Sequence, residues 1–267
     1  MARRPEGLGQ SKLADPALIL FAGLTPAAIA FAIAAAFVAA FIRGLAGFGM
    51  AILLVPLLAL MVLPVEAVVV SNFLGLLIGL VGVRQTWAAA DRASALTIGG
   101  LAMVATPFGL ALLHVVDPAW ARVLIALIAV LAFVLVLLPS RPDGHRPHLL
   151  ETGATGVAAG LLTGFAGMPG PPVVPYYLRQ PIPAARARAS MLMVFFTTSL
   201  ASSVAGVGMG MAGMRQGALA LALFVPIWLG NRLGAHAFGR ISDKAWRWLV
   251  ALLLGASGTV ALVRLIP

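Results

Sequence analysis

Arg43-Gly44-Leu45-Ala46-Gly47-Phe48-Gly49-Met50 interrupts one long apolar stretch, and Thr163-Gly164-Phe165-Ala166-Gly167-Met168-Pro169-Gly170 interrupts another in the second half of the chain. Gly44, Ala46, Gly47 and Pro56 align with Gly164, Ala166, Gly167 and Pro175 across a single gap, and Pro64 and Ser71 then fall opposite Pro183 and Ser190. Each copy breaks a hydrophobic segment with residues that lack a side chain or a backbone donor. In lipid such a break is tolerated only where it is enclosed in protein or lines a wet cavity. The two breaks are therefore the first place to look for function.

Composition sets the class around them. The 267 residues are 61% hydrophobic and 10% charged, with a mean hydropathy of +1.05. Long charge-free runs at that hydropathy mean an all-α, polytopic integral membrane protein embedded in the lipid bilayer. There are no cysteines, so disulfide and thiol chemistry are excluded. The net charge of +10 is carried by residues lying between hydrophobic runs rather than in a patch, which fits loops facing the cytoplasm and not nucleic acid.

Charge-free runs supply candidate spans at roughly 24–42, 47–63, 65–83, 94–114, 119–138, 149–166, 168–180, 184–206, 216–236 and 245–265. Eight are long enough, or nearly so, for the ~20 residues a crossing needs. Segments 2 and 7 are short or broken by proline, leaving 8–10 transmembrane segments. Short segments at matching positions in two halves point to a transporter's binding site. A second echo, Asp117-Pro118-Ala119-Trp120 against Asp243-Lys244-Ala245-Trp246, opens segments 5 and 10. Its ordinary reading is a helix cap with an interfacial tryptophan, but it extends the repeat. The organisation expected is a polar tail at 1–15, repeat 1 at 16–139, a hydrophilic linker at 140–148 and repeat 2 at 149–267, with five segments in each repeat.

Five is odd, so the repeats are inverted if every segment crosses. One face then collects Arg43, Arg84, Arg92, Arg141, Arg146, Arg179, Arg186, Arg188, Arg240, Lys244 and Arg247, and the other Arg3, Arg4, Lys12, Arg122, Arg215 and Arg264. Treating segments 2 and 7 as re-entrant between crossing neighbours removes that bias. The positive-inside rule therefore favours ten crossings, with the N-terminal tail outside.

None of the eight acidic residues lies mid-span. Carriers of cations or protons usually place a carboxylate in the membrane, so the chain is suited to a small anion, held by helix N-termini, backbone donors, hydroxyls or an arginine. The candidate ligands are Gly44, Gly47, Phe48, Gly49, Ser71 and Asn72 in the first half, and Gly164, Gly167, Gly170, Ser190, Thr197 and Arg232 in the second, with Thr198 and Ser199 beside them. Ordinary alternatives stand next to each: glycines serve close packing, membrane hydroxyls bond their own helix, and Arg232 snorkels to the surface. Arg186 and Arg188 belong to the cytoplasmic rim, where they can also attract anions. Enzyme signatures are missing: there is no His-Glu-x-x-His, no Gly-x-Ser-x-Gly and no P-loop. No metal or other cofactor is expected.

On the doubled glycine break, each copy followed by an apolar run ending in Val-Pro, and on the proline-to-serine stretches 64–71 and 183–190, the chain resembles the TauE/SafE family of membrane permeases. The resemblance runs from about Phe31 onwards. The second break departs from the glycine-rich form, because Pro169, Pro171 and Pro172 remove three backbone donors. The resemblance implies a multi-pass protein of the cell inner membrane that moves sulfite, organosulfonates or related small anions, generally outward. A secondary permease working by alternating access is the leading expectation. A channel-like pore and a non-transporting membrane subunit stand beside it, and homo-oligomerisation is left open.

Overall fold

The computed structural model describes residues 25–136, 147–242 and 245. The N-terminal tail, most of the linker and, apart from Ala245, the tenth span lie outside the described residues, as does the Asp243 end of the second echo. Among the described residues nine helices form and there are no strands: α1 Pro26–Ala46, α2 Met50–Leu58, α3 Pro64–Ala89, α4 Arg92–Val115, α5 Pro118–Val136, α6 Leu149–Ala166, α7 Gly170–Leu178, α8 Ala184–Gly208 and α9 Met214–Phe238. Six of them (α1, α3, α4, α6, α8 and α9) are long and apolar enough to cross a membrane. Large apolar side chains such as Val104, Phe108, Leu221 and Val225 stand exposed, where lipid supplies the apolar environment that water would not. The chain is a multi-pass membrane protein.

Local chemistry sets the helix ends. Thr25 caps α1, accepting from the Ala28 N–H at 3.2 Å. Pro64 and Pro118 occupy first-turn positions where a missing N–H costs nothing. Asp117 caps α5, accepting from the Ala119 N–H at 2.8 Å. α1 and α6 end on Gly47 and Gly167 with φ of 89° and 70°, the left-handed turn that closes a helix and that only glycine adopts without strain. At Gly167 the N–H bonds back to the Thr163 carbonyl and that of Met168 to Leu162.

Helix directions follow from side-chain contacts at the ends. The Arg215 guanidinium at the start of α9 pairs with Glu66 at the start of α3 (3.1 Å), and Arg122 in the first turns of α5 donates to the Ala59 carbonyl just past α2 (3.2 Å). These mark one side, here the N-terminal face. On the other, the linker face, the Asp91 N–H at the α3–α4 turn donates to Ser190 near the start of α8 (2.8 Å). Tyr177 at the end of α7 bonds Ser94 of α4 (2.9 Å), and Tyr176 bonds Thr152 near the start of α6 (2.9 Å). α7 therefore returns to the face where α6 begins, and α2 runs back toward the N-terminal face. Each nine-residue helix is about 13.5 Å long, less than half of the ~30 Å hydrocarbon core. The expectation that segments 2 and 7 each cross is replaced by two hairpins whose short arms start at an internal break.

Two helix pairs hold the hairpins. α1 lies parallel to α9, and a Cβ on Gly230 would fall 2.3 Å from the Phe37 carbonyl, one on Gly234 2.0 Å from that of Phe41, and one on Gly44 2.2 Å from that of Asn231. α6 lies parallel to α4 in the same manner: Cβ atoms on Gly160 and Gly164 would fall 2.3 Å from the Ala102 carbonyl and 2.2 Å from that of Thr106. Backbone rests on backbone at both seams, the close approach small residues permit in membranes. Gly234→Leu should therefore cost well over the ~1–3 kcal/mol of an ordinary overpacking and lower the melting temperature of the detergent-solubilised protein sharply. Gly217→Ala, where a Cβ meets nothing within 4 Å, should leave it unchanged or slightly higher.

Candidate functional site

The two breaks meet in the interior. Residues 43–48 and 163–171 are buried in their entirety, and a small cavity of about 40 Å³ lies between the tips. Its walls come from Phe48, Gly49, Met50, Ala51 and Ile52 of the first break, from Gly167, Met168, Pro169 and Gly170 of the second, and from Ser71, Asn72 and Gly75 of α3 with Phe195 and Ser199 of α8. Such a space holds roughly three waters or one ion of a few atoms.

The cavity wall is rich in donors on one side. α2 starts at Met50, so the N–H groups of its first turn have no helical acceptor and its positive end faces the cavity. The equivalent end of α7 lacks N–H groups at Pro171 and Pro172. Across from them the Ser71 hydroxyl is buried with no hydrogen-bond partner, while the Asn72 amide donates to the Val68 carbonyl at 3.0 Å.

A second, larger chamber of about 500 Å³ adjoins the first on its linker side. It runs from Ala89 of α3 and Ala185 of α8 inward to Ile78, Asn231 and Arg43. Arg43 lines both chambers. It is only 6% exposed, and its Nη1 donates to the Asn231 Oδ1 at 2.9 Å. Arg188 donates to the Gly44 carbonyl and stacks over Phe238 at 4.7 Å, and Arg232 stacks over Trp228 at 5.3 Å. Three arginines thus line this vestibule, and no carboxylate lines either chamber among the described residues. A guanidinium held by an amide and aromatic faces keeps donors free for an anion.

The residues singled out in the sequence divide accordingly. Phe48, Gly49, Ser71, Asn72, Gly167 and Gly170 surround the inner cavity, joined by Ser199. Gly44 and Gly164 sit against neighbouring carbonyls in the two seams, and Gly47 forms the left-handed turn with the Arg188 side chain packed on it. Ser190 ties α8 to the α3–α4 turn. Thr197 bonds the Val194 carbonyl and packs on Gly99. Arg232 belongs to the vestibule. Arg43 was grouped with the loop charges and Arg188 with the rim. The signal for Arg43 was its place: it directly precedes a helix break, with no polar loop around it.

An α-helical membrane bundle with two internal helix breaks around a cavity, and an arginine-lined chamber beside it, has the build of a protein that handles a polar solute within the bilayer. The family model described as Sulfite exporter TauE/SafE matches residues 32–260, and the chain belongs to that family, one of sulfite-exporter-type membrane permeases. No curated protein and no solved structure matches the chain.

The geometry of the second tip is open to test. Gly167→Ala should cost about 1–2 kcal/mol because it forces an L side chain into a left-handed turn. Gly170→Ala, at ordinary backbone angles and with Ile52 3.5 Å away, should stay within about 0.5 kcal/mol. Thermal unfolding of the two variants in detergent measures the difference.

Proposed function

We propose that the chain is a secondary permease of the cell inner membrane that exports a small anion such as sulfite, by alternating access around the two hairpin tips. The observation that carries this reading is Arg43, a buried cation placed between two chambers that no carboxylate lines among the described residues. A buried guanidinium without a carboxylate is costly unless something anionic visits it. The anion enters the vestibule, drawn by Arg188 and Arg232, meets Arg43, and settles against the N-terminus of α2.

The inverted two-repeat arrangement is part of the proposal. Exchanging α1, α2, α3 and α4 with α6, α7, α8 and α9 carries the α1–α9 seam onto α6–α4 and leaves the α3–α8 contact in place. Each hairpin starts and ends at one face, so its flanking loops fall as if both arms crossed. Without the buried Arg43, the basic residues still divide ten to six, which puts the linker face, and the vestibule, in the cytoplasm. The repeat boundaries at 16–139 and 149–267 belong to the same proposal. The negative potential of the cell drives an anion outward along this route without ATP.

Uptake of radiolabelled sulfite into everted membrane vesicles tests the reading. Saturable uptake, accelerated by a lumen-positive potential, is expected. Flux that never saturates would point to a pore, and no uptake of sulfite or other small anions would refute transport. Arg43→Gln should raise the KM for sulfite by roughly 10- to 100-fold, the loss of one hydrogen bond to a charged group, while membrane insertion is retained. Gly47→Leu, which drives a side chain into Arg188, should abolish uptake.

A further inference from the structure

Among the described residues three serine hydroxyls are buried without a partner: those of Ser71, Ser202 and Ser203. They are exposed by no more than 6%. Other hydroxyls in the bundle behave as membrane serines and threonines usually do, returning their hydrogen to a carbonyl of their own helix. Thr106 bonds Ala102, Thr163 bonds Ala159 and Ser190 bonds Arg186. The three exceptions share one level. α3 and α8 are antiparallel, with Gly79 against Phe196, Gly75 against Ser199, and Val69 near Gly206. Ser71 therefore stands level with Ser202 and Ser203. Ser71 and Ser199 already line the inner cavity, and Ser199, Ser202, Ser203 and Gly206 follow one another along a single face of α8 toward the N-terminal face.

We propose that Ser71, Ser202 and Ser203 form the exit station of the anion, a second oxyanion subsite between the inner cavity and the N-terminal face, closed in this structure by apolar side chains gathered at Gly206. The proposal rests on the permease reading above. Hydroxyls with no competing acceptor suit the oxygens of a small oxyanion, which accepts hydrogen bonds and donates few. The donors at this level are neutral hydroxyls, so the ion is held without a charge and released easily, as conduction requires of an exit site. The closure lies one helical turn further on. A Cβ on Gly206 would meet Ala212 at 3.6 Å, Leu110 at 3.8 Å and Val69 at 3.9 Å, so these three side chains converge there. Parting α8 from α3 and α4 at this point opens the station outward.

The chain has no cysteine, so single cysteines report cleanly. In full-length protein, Ser203→Cys should react with a membrane-impermeant anionic thiol reagent added at the N-terminal face in the absence of sulfite. Thr86→Cys, in the vestibule, should react from the linker face. The double variant Ser202→Ala/Ser203→Ala removes only unpartnered hydroxyls, so its thermal stability should be unchanged or higher. Its KM for sulfite should nevertheless rise about tenfold. An unchanged KM, or no labelling of Ser203→Cys from the N-terminal face, overturns the station while sulfite uptake by the wild type keeps the permease reading alive. A variant whose sodium dependence moves while its sulfite KM does not would mean that the hydroxyls hold a cation, and overturns it too. Absence of wild-type uptake removes the permease reading itself.

Discussion

A helix that ends inside a bilayer leaves its last carbonyls and the next helix's first N–H groups without helical partners, and lipid offers none. That constraint shapes the whole molecule. Both breaks must be roofed by protein, so the hairpins are buried to their tips, and their long arms are held by seams in which glycine lets one backbone rest on another. The tyrosine pair at the end of α7, bonded to α4 and α6, and the Arg122 bond at the end of α2 anchor the short arms. The unsatisfied groups at the first break then face a cavity instead of lipid, and the cost of breaking the helix becomes a set of donors.

Charge follows the same logic. Arg43 sits one turn before the first break, while the aligned position in the second is Thr163, which bonds its own helix. The two hairpins are alike in backbone but not in charge. Arg43 lines the inner cavity as well as the vestibule, where Arg188 and Arg232 extend the positive field, while Ser71 and Ser199 bring hydroxyls to the inner cavity. A field of this shape is strongest at the vestibule, where an anion is drawn most firmly.

Much of this was legible in the residues. The glycine breaks, the shortness of segments 2 and 7 and the absence of carboxylates from the spans all rest on local chemistry, which sequence displays directly. The lining of the candidate cavity was legible in part. Phe48, Gly49, Ser71, Asn72, Gly167 and Gly170 line the cavity because they belong to the breaks or to the helix beside them. Gly44 and Gly164 looked equivalent to them, yet they pack against α9 and α4, because whether a glycine meets a neighbour's carbonyl or an open space depends on which helix lies alongside. Ser190 and Thr197 were indistinguishable by type from Ser202 and Ser203, and only their surroundings separate a satisfied hydroxyl from an orphaned one.

By itself the sequence determined that this chain lives in a membrane, that its long helices are broken twice at corresponding places, and that it belongs with anion permeases. Hydropathy, backbone freedom and charge are properties of residues. Tertiary structure decided which way the short arms run, that the two tips share one cavity, and that Arg43 is a buried cation between two chambers rather than a loop charge. Those are properties of distance between segments far apart in the chain, set by the α1–α9 and α4–α6 seams, and no single stretch of sequence carries them.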